Sequence, residues 1–275
     1  MRVAAALLVG AALWPAAAAY GQVETEAAYT EVFYPSGALR IQAYLYQPAG
    51  SGPFPVVIYN HGSREGNERR PTPFQHIGRL LTGAGYLVLV PERRGYGNSD
   101  GPTSSSETGG GGQRVTDRLQ AETDDVLAAV DYLRTLPVAD MKRLGIMGWS
   151  FGGAVTMFAV SRSAAFAAAV NQAGGALTWN FNGAMRNELA AAARKTTTPT
   201  LLMVAQNDRT TASITTLADI YKERGIPHRT VIYEPFVPQQ GSAGVAPGHM
   251  VFSSQGVQVW QKDALEFLDR YLGGK

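Results

Sequence analysis

The stretch Gly148-Trp149-Ser150-Phe151-Gly152-Gly153, read as GWSFGG, lies between two apolar runs, RLGIM before it and AVTMFAV after it. The first run predicts a buried strand and the second a helix, so Ser150 falls at a sharp strand-to-helix turn. A side chain at Gly148 or Gly152 would collide with neighbouring backbone in such a turn. The pattern favours a serine presented as a nucleophile, with an ordinary glycine-rich turn as the alternative.

Strand and helix patterns alternate along the rest of the chain. Apolar runs predict strands at 54–60, 86–92, 143–149, 166–172, 199–206 and 228–236, and helical spacing predicts helices at 74–84, 114–136, 151–162, 184–195, 212–225 and 254–272. Residues 29–50 predict an antiparallel hairpin that turns at Ser36-Gly37, and 103–112 a loop. This order predicts an α/β fold with a twisted, mostly parallel sheet of about eight strands and helices on both faces.

The first 21 residues have the layout of a secretory signal peptide. One arginine, Arg2, precedes a short apolar run, and small residues follow that permit cleavage after Ala19 or Gly21. The alternative is a buried N-terminal helix. The remaining residues, 22–275, predict one domain without a membrane anchor, located in a bacterial periplasm or the medium.

Composition narrows the classes of function. The 275 residues carry a net charge of +2 and no long basic stripe, which argues against a nucleic-acid partner. The chain has no cysteine, which excludes disulfides and a thiol nucleophile. No pair of its histidines has the spacing of a typical metal site, so we expect no metal. The oligomeric state is left open.

Three polar residues follow three of the predicted strands. Ser150, Asp208 and His249 come in that order and fall on the edge formed by the carboxyl ends of the strands. A serine hydroxyl is a weak nucleophile, and it needs a base that a third group orients. The order serine, acid, histidine predicts a catalytic triad, with a helix cap as the alternative role for Asp208 and Glu234 as the alternative acid.

The backbone N–H groups of Phe151 and Ser63 are the expected oxyanion donors, because one follows the nucleophile and the other lies in the loop after strand 54–60. His61 is expected to shape that loop. The sequence further predicts a substrate pocket bordered by His61, Tyr96, Trp149 and Trp179, together with Phe151 and Phe181. Trp149 fits core packing equally well. One of Arg93 and Arg94 is expected to form a structural ion pair rather than bind an anionic substrate.

The chain carries five motifs in the following order: NHGS at 60–63, PERRGYGNSDG at 91–101, GWSFGG at 148–153, VAQNDRTT at 204–211 and PGHMVF at 247–252. Together they resemble serine α/β-hydrolases of the dienelactone-hydrolase-like or prolyl-oligopeptidase-like branch. The turn at Ser150 is also similar to that of secreted cutinase-like polyesterases. The resemblance implies hydrolysis of esters, lactones or sometimes peptides, without a cofactor. Dienelactone hydrolases proper use a cysteine nucleophile, so their particular substrate is not implied.

The sequence therefore predicts an exported hydrolase that cleaves a small or polymeric carboxylic ester through an acyl-enzyme intermediate. A small serine peptidase with the same triad is the first alternative. A binding protein on an inactive hydrolase fold is the second. The connection between strands 166–172 and 199–206 has space for one helix, which predicts an open site without a large cap.

Overall fold

The computed structural model describes residues 27–108 and 112–273, and an eight-stranded sheet runs through them. Its strands are β1 Thr30–Ser36, β2 Leu39–Tyr46, β3 Phe54–Asn60, β4 Leu87–Glu92, β5 Ala139–Trp149, β6 Ala168–Gln172, β7 Thr200–Ala205 and β8 His228–Tyr233. They lie in the order β1-β2-β4-β3-β5-β6-β7-β8. The pairs β1–β2 and β2–β4 are antiparallel, and all pairs from β4 to β8 are parallel. The predicted fold is confirmed.

The helices cover the two faces of this sheet. They are α1 Gln75–Gly83, α2 Ser104–Thr108, α3 Gln113–Arg134, α4 Phe151–Arg162, α5 Gly183–Lys195, α6 Ala212–Glu223 and α7 Val257–Leu272, and 3₁₀ turns span Pro247–Phe252 and Ser254–Gly256. Helices α1 and α7 contact each other, whereas α3, α4, α5 and α6 contact one another in succession. Within the described residues, no helix is long and apolar enough to cross a membrane.

Helix α4 is the most deeply buried helix, because it is apolar on all sides. Residues 152–160 are buried without a break, and the helix packs on β3, β5 and β6 as well as on α3 and α5. A helix with no polar face has to be enclosed by other elements. The residue that precedes it, Ser150, is therefore held at a fixed position above the centre of the sheet.

Segment 103–112 differs from the sequence prediction, which made it all loop. Residues Ser104–Thr108 form the short helix α2. Its Glu107 pairs with Arg118 of α3 at 2.7 Å, and the backbone N–H of Ser105 donates to Glu68. These partners lie 11 and 37 residues away in the sequence, so the composition of the segment itself could not reveal them. The predicted signal peptide and the glycines at 109–111 lie outside the described residues.

The turn from β5 to α4 crosses the end of β3 at very short range. A Cβ added at Gly152 would lie closer than 3.0 Å to the backbone carbonyl oxygens of Asn60 and His61. A Cβ added at Gly148 would lie equally close to the backbone of Gly152. Both glycines are therefore required by the close approach of three backbone segments, as the sequence predicts.

We expect Gly152→Ala to destabilise the fold by at least about 2 kcal/mol, because rigid backbone would have to move to admit the methyl group. Gly83→Ala is the matched control, since a Cβ there meets nothing within 4 Å. Its stability should change by less than about 1 kcal/mol. Urea unfolding of both variants measures the difference, and equal stabilities would contradict the close crossing.

Candidate active site

The sheet brings the three residues of the predicted triad to one edge. Ser150 follows β5, Asp208 follows β7 by three residues, and His249 lies in the 3₁₀ turn Pro247–Phe252 after β8. Because β5 and β7 are parallel members of one sheet, their carboxyl ends meet at the same edge. The structure thus places a hydroxyl, a carboxylate and an imidazole in the loops at one edge of the sheet.

Ser150 has the backbone conformation of a strained turn. Its φ of 57° and ψ of −118° are rare for a residue with a side chain. Such strain costs on the order of 1–3 kcal/mol and persists only where the surroundings enforce it. Here the Ser150 N–H donates to the carbonyl of Gln172 at 2.8 Å, and its own carbonyl accepts from Ala154 at 3.2 Å. The side chain remains half-buried at the N-terminus of α4.

His249 is oriented by a buried carboxylate. Its Nδ1 lies 2.7 Å from Oδ2 of Asp208, and the two residues are 2% and 7% exposed. The other carboxylate oxygen accepts the Arg209 backbone N–H at 2.6 Å. With Asp208 ionised, Nδ1 carries the proton and Nε2 is the basic nitrogen. That Nε2 is buried and has no hydrogen-bond partner among the described residues.

Trp149 has a specific contact that the sequence left open. Its indole Nε1 donates to the backbone carbonyl of His249 at 3.2 Å, and the two ring centroids lie 5.6 Å apart. The residue before the serine therefore supports the segment that carries the histidine. Trp149 was expected either to border the pocket or to pack in the core. It is half-buried and supports His249, so it has neither role alone.

The alternative acid and the other histidines lie in different surroundings. Glu234 is exposed and accepts from Gln206 at 3.3 Å, whereas His249 pairs with Asp208. His228 bonds the carbonyl of Ile226 and is partly exposed. Burial lowers the pKa of His76 in α1 to about 4, with Arg79 adding to the effect. Among the described residues, none of these three side chains is hydrogen-bonded to Ser150 or to His249.

The loop after β3 lies directly against Ser150. A Cβ added at Gly62 would lie 3.2 Å from the Ser150 Cβ and 3.9 Å from its Oγ. The next residue, Ser63, shares a cavity with Ser150 and Phe151. The Phe151 N–H opens α4, and the first N–H groups of a helix have no intrahelical partner. Both expected oxyanion donors thus border the space in front of Ser150.

A buried guanidinium fixes this loop from behind. Arg93 is fully buried, its Nη2 donates to the His61 carbonyl at 2.8 Å, and its Nε lies 2.5 Å from Oε2 of Glu122. Arg118 holds the other oxygen of Glu122 at 2.7 Å. Arg94 makes a two-point pair with Asp125 at 2.8 and 2.9 Å. Both arginines after β4 are therefore structural ion pairs, where the sequence predicted one.

His61 itself is uncharged in these surroundings. Burial lowers its pKa well below the usual value of a histidine, and the cationic Arg93 and Arg64 lower it further. Its Nδ1 lies 2.7 Å from the Gly62 carbonyl, and its ring stacks on Phe74 at 5.6 Å. Burial raises the pKa of Glu92, which Arg64 and the Thr72 N–H nevertheless bind. His61 therefore packs behind the loop and does not border the serine side of the site, where the sequence predicted a pocket residue.

A cavity of about 250 Å³ opens in front of Ser150, and we call it the serine cavity. Most of its wall is apolar, from Phe151, Ala154, Leu177, Phe181 and Met185. The polar residues Ser63, Glu65, Thr178 and Arg209 complete the wall together with Gly175 and Gly244. The guanidinium of Arg209 donates to the Gly244 carbonyl at 2.9 Å and lies 6.0 Å from the Phe181 ring centroid.

The expected pocket residues are distributed differently. Of them, Phe151 and the largely exposed Phe181 line the serine cavity. Trp179 is 7% exposed and packs in the core, and His61 is fully buried, so neither lines it. Tyr96 lines a separate cavity of about 130 Å³ beside Ser63 and Phe151.

Sequence reasoning missed Leu177, Met185, Glu65 and Arg209 as wall residues. Only Arg209 carried a signal, because it follows the predicted acid directly. In the part of the chain that the structure describes, no group of three or more histidine or acidic side chains could hold a metal ion.

Comparison with known proteins identifies the family of this chain. Residues 41–241 match the model of the dienelactone hydrolase family. The quorum-quenching protein AidA of Acinetobacter baumannii is 28% identical over 142 residues, which are 52% of this chain and 42% of that protein. The chain thus spans less than half the length of this relative.

Two solved structures illustrate the fold. The acylaminoacyl peptidase of Pyrococcus horikoshii superposes with a TM-score of 0.70 at 18% identity, over 90% of this chain and 42% of the peptidase. An esterase of Pyrococcus furiosus superposes with a TM-score of 0.65 at 16% identity, over 90% and 92% of the two chains. These two likenesses establish the α/β-hydrolase fold, and the family match establishes that this chain belongs to the dienelactone hydrolase family of hydrolases.

Proposed function

We propose that this protein is an exported serine hydrolase that cleaves carboxylic esters through an acyl-enzyme intermediate. One observation carries the proposal: a buried Asp208 holds His249 by Nδ1 and leaves Nε2 without a partner among the described residues, and Trp149, the neighbour of the strained Ser150, bonds the His249 carbonyl. This is the arrangement that a serine nucleophile requires. Export is supported by the sequence pattern of the first 21 residues.

In the proposed mechanism, Ser150 Oγ attacks the ester carbonyl while His249 Nε2 accepts the hydroxyl proton. The negative charge that forms on the carbonyl oxygen is stabilised by the N–H groups of Phe151 and Ser63. His249 then returns the proton to the leaving alcohol, and Asp208 stabilises the charged ring throughout. Water, activated by His249, releases the acid from Ser150. No hydrogen bond joins Ser150 to His249 in this geometry, and such bonds often tighten when substrate binds.

The peptidase alternative rests on a specific observation, which is the likeness to acylaminoacyl peptidase. The serine cavity favours a compact apolar acyl group, because it is small and mainly apolar. Ester cleavage is also the less demanding reaction, because an alcohol leaves more readily than an amine does.

Hydrolysis of p-nitrophenyl acetate and butyrate, set against aminoacyl p-nitroanilides, tests this function. We expect the wild-type chain to cleave the esters, and Ser150→Ala to lose at least about three orders of magnitude in kcat. Ser161→Ala, on the far part of the same helix, is the matched control and should keep wild-type rates. An unchanged rate in Ser150→Ala would disprove the mechanism, and cleavage of the anilides alone would favour the peptidase.

A second prediction separates the two acids near this edge. Asp208→Asn should lower kcat by roughly three to four orders of magnitude, because an amide does not stabilise the charged ring and can favour the wrong tautomer. Glu234→Gln removes the same charge from an exposed residue that bonds Gln206, and it should leave kcat within about twofold. Steady-state kinetics on both variants measure this contrast. The reverse pattern would transfer the orienting role to Glu234.

A further inference from the structure

The serine cavity does not end at the protein surface but continues into a second space. A cleft of about 900 Å³ adjoins it, and we call this space the outer cleft. Ser63, Glu65, Leu177 and Gly244 line both, so the two spaces share a boundary. Ser150 lines the serine cavity and does not line the outer cleft. A molecule that reaches Ser150 can therefore extend well beyond the reacting bond.

The two spaces differ in chemistry. The serine cavity is floored by the buried Ala154 and Met185 and walled by aromatic rings. The outer cleft is lined mostly by polar side chains, those of Ser63, Arg64, Glu65, Asn67, Arg70, Thr72 and Ser242, along with prolines and small or aliphatic residues. Asn67, Arg70 and Ser242 are exposed, so their polar groups face water or a ligand. One space suits an apolar group and the other a hydrogen-bonding chain.

Size assigns the acid part of the substrate to the serine cavity. A cavity of about 150 Å³ is large enough for benzene, so about 250 Å³ accepts a benzoyl-sized group. The buried floor at Ala154 and Met185 closes the cavity against further extension.

The position of the base assigns the alcohol part to the outer cleft. In the proposed mechanism the leaving oxygen takes its proton from His249, so the alcohol departs on the side of that residue. The wall of the outer cleft includes residues 242–245, which lead directly into the 3₁₀ turn that carries His249. A leaving group that extends past His249 along this segment enters the outer cleft.

We propose that the substrate is an ester of a compact apolar acid, of about the size of benzoate, with an extended polar alcohol that occupies the outer cleft. This inference deepens the proposed ester hydrolysis and rests on it. The alcohol is neutral, because Arg64 is already paired with Glu92 and the wall carries both the cation of Arg70 and the anion of Glu65. It is rich in oxygen, because the cleft offers amide, hydroxyl and guanidinium groups as hydrogen-bond donors. Attack forms the Ser150–benzoyl ester bond and breaks the bond to the alcohol oxygen, which leaves with the proton from His249.

Three benzoate esters test the inference: methyl benzoate, octyl benzoate and the monobenzoate of tetraethylene glycol. We expect kcat/KM for the glycol ester to exceed that for the methyl ester by about tenfold or more, because only its alcohol reaches the outer cleft. The octyl ester should not share this advantage. Equal kcat/KM values for the glycol and methyl esters, or a preference for the octyl ester, would overturn the inference.

A blocking variant localises the effect. Ala243→Trp places a large ring at an exposed position in the outer cleft, and the glycol-to-methyl ratio should fall towards one. Ala38→Trp, at the exposed turn between β1 and β2, is the matched control and should keep the wild-type ratio. Thermal unfolding verifies that both variants fold. An unchanged ratio in Ala243→Trp would contradict the assignment of the cleft.

The outcomes also separate this inference from the proposed function. Ser150-dependent cleavage of all three esters with flat ratios would reject the inference and keep the serine hydrolase. Absence of cleavage of any benzoate or p-nitrophenyl ester by folded wild-type protein would reject both.

Discussion

The close crossing of the Ser150 turn over the end of β3 is the constraint on which the rest of the site depends. Gly152 meets the carbonyls of Asn60 and His61 at a distance that admits no side chain. The crossing holds the nucleophile turn and the oxyanion loop together, so a displacement of one displaces the other. The positive φ of Ser150 is enforced by the same contact, because α4 is buried and cannot tilt away.

Behind this crossing, buried charge replaces the apolar packing found elsewhere in the core. Arg93 links the His61 carbonyl to Glu122 of α3. Arg94, the next residue after β4, pairs with Asp125 of the same helix. Removing one partner from such a buried set leaves an uncompensated charge, which costs several kcal/mol. These ion pairs therefore fix the position of the loop after β3, and a substitution in any one of them is expected to destabilise the protein. Trp149 has the corresponding role for His249, through a single hydrogen bond to its backbone.

The sequence predicted the alternation of strands and helices and the placement of Ser150, Asp208 and His249 at one sheet edge, because those rest on local periodicity and on one rule about parallel sheets. It could not predict the cavity wall. Leu177 and Met185 come from the connection after β6 and from α5, whose approach to Ser150 depends on tertiary packing. Both Trp179 and Phe181 were predicted to border the pocket, yet Trp179 turns into the core whereas Phe181 stays exposed. Side-chain direction within an irregular segment is not encoded in hydrophobic periodicity.

The central claim is that Ser150 is a nucleophile activated by His249. Reaction of the folded protein with a fluorophosphonate, followed by mass spectrometry of the peptide between Arg143 and Arg162, tests it most directly. The account predicts one adduct per chain, located on Ser150 rather than Thr156 or Ser161, and its loss in His249→Ala. An unmodified Ser150 in folded protein, or labelling that persists without His249, would contradict it.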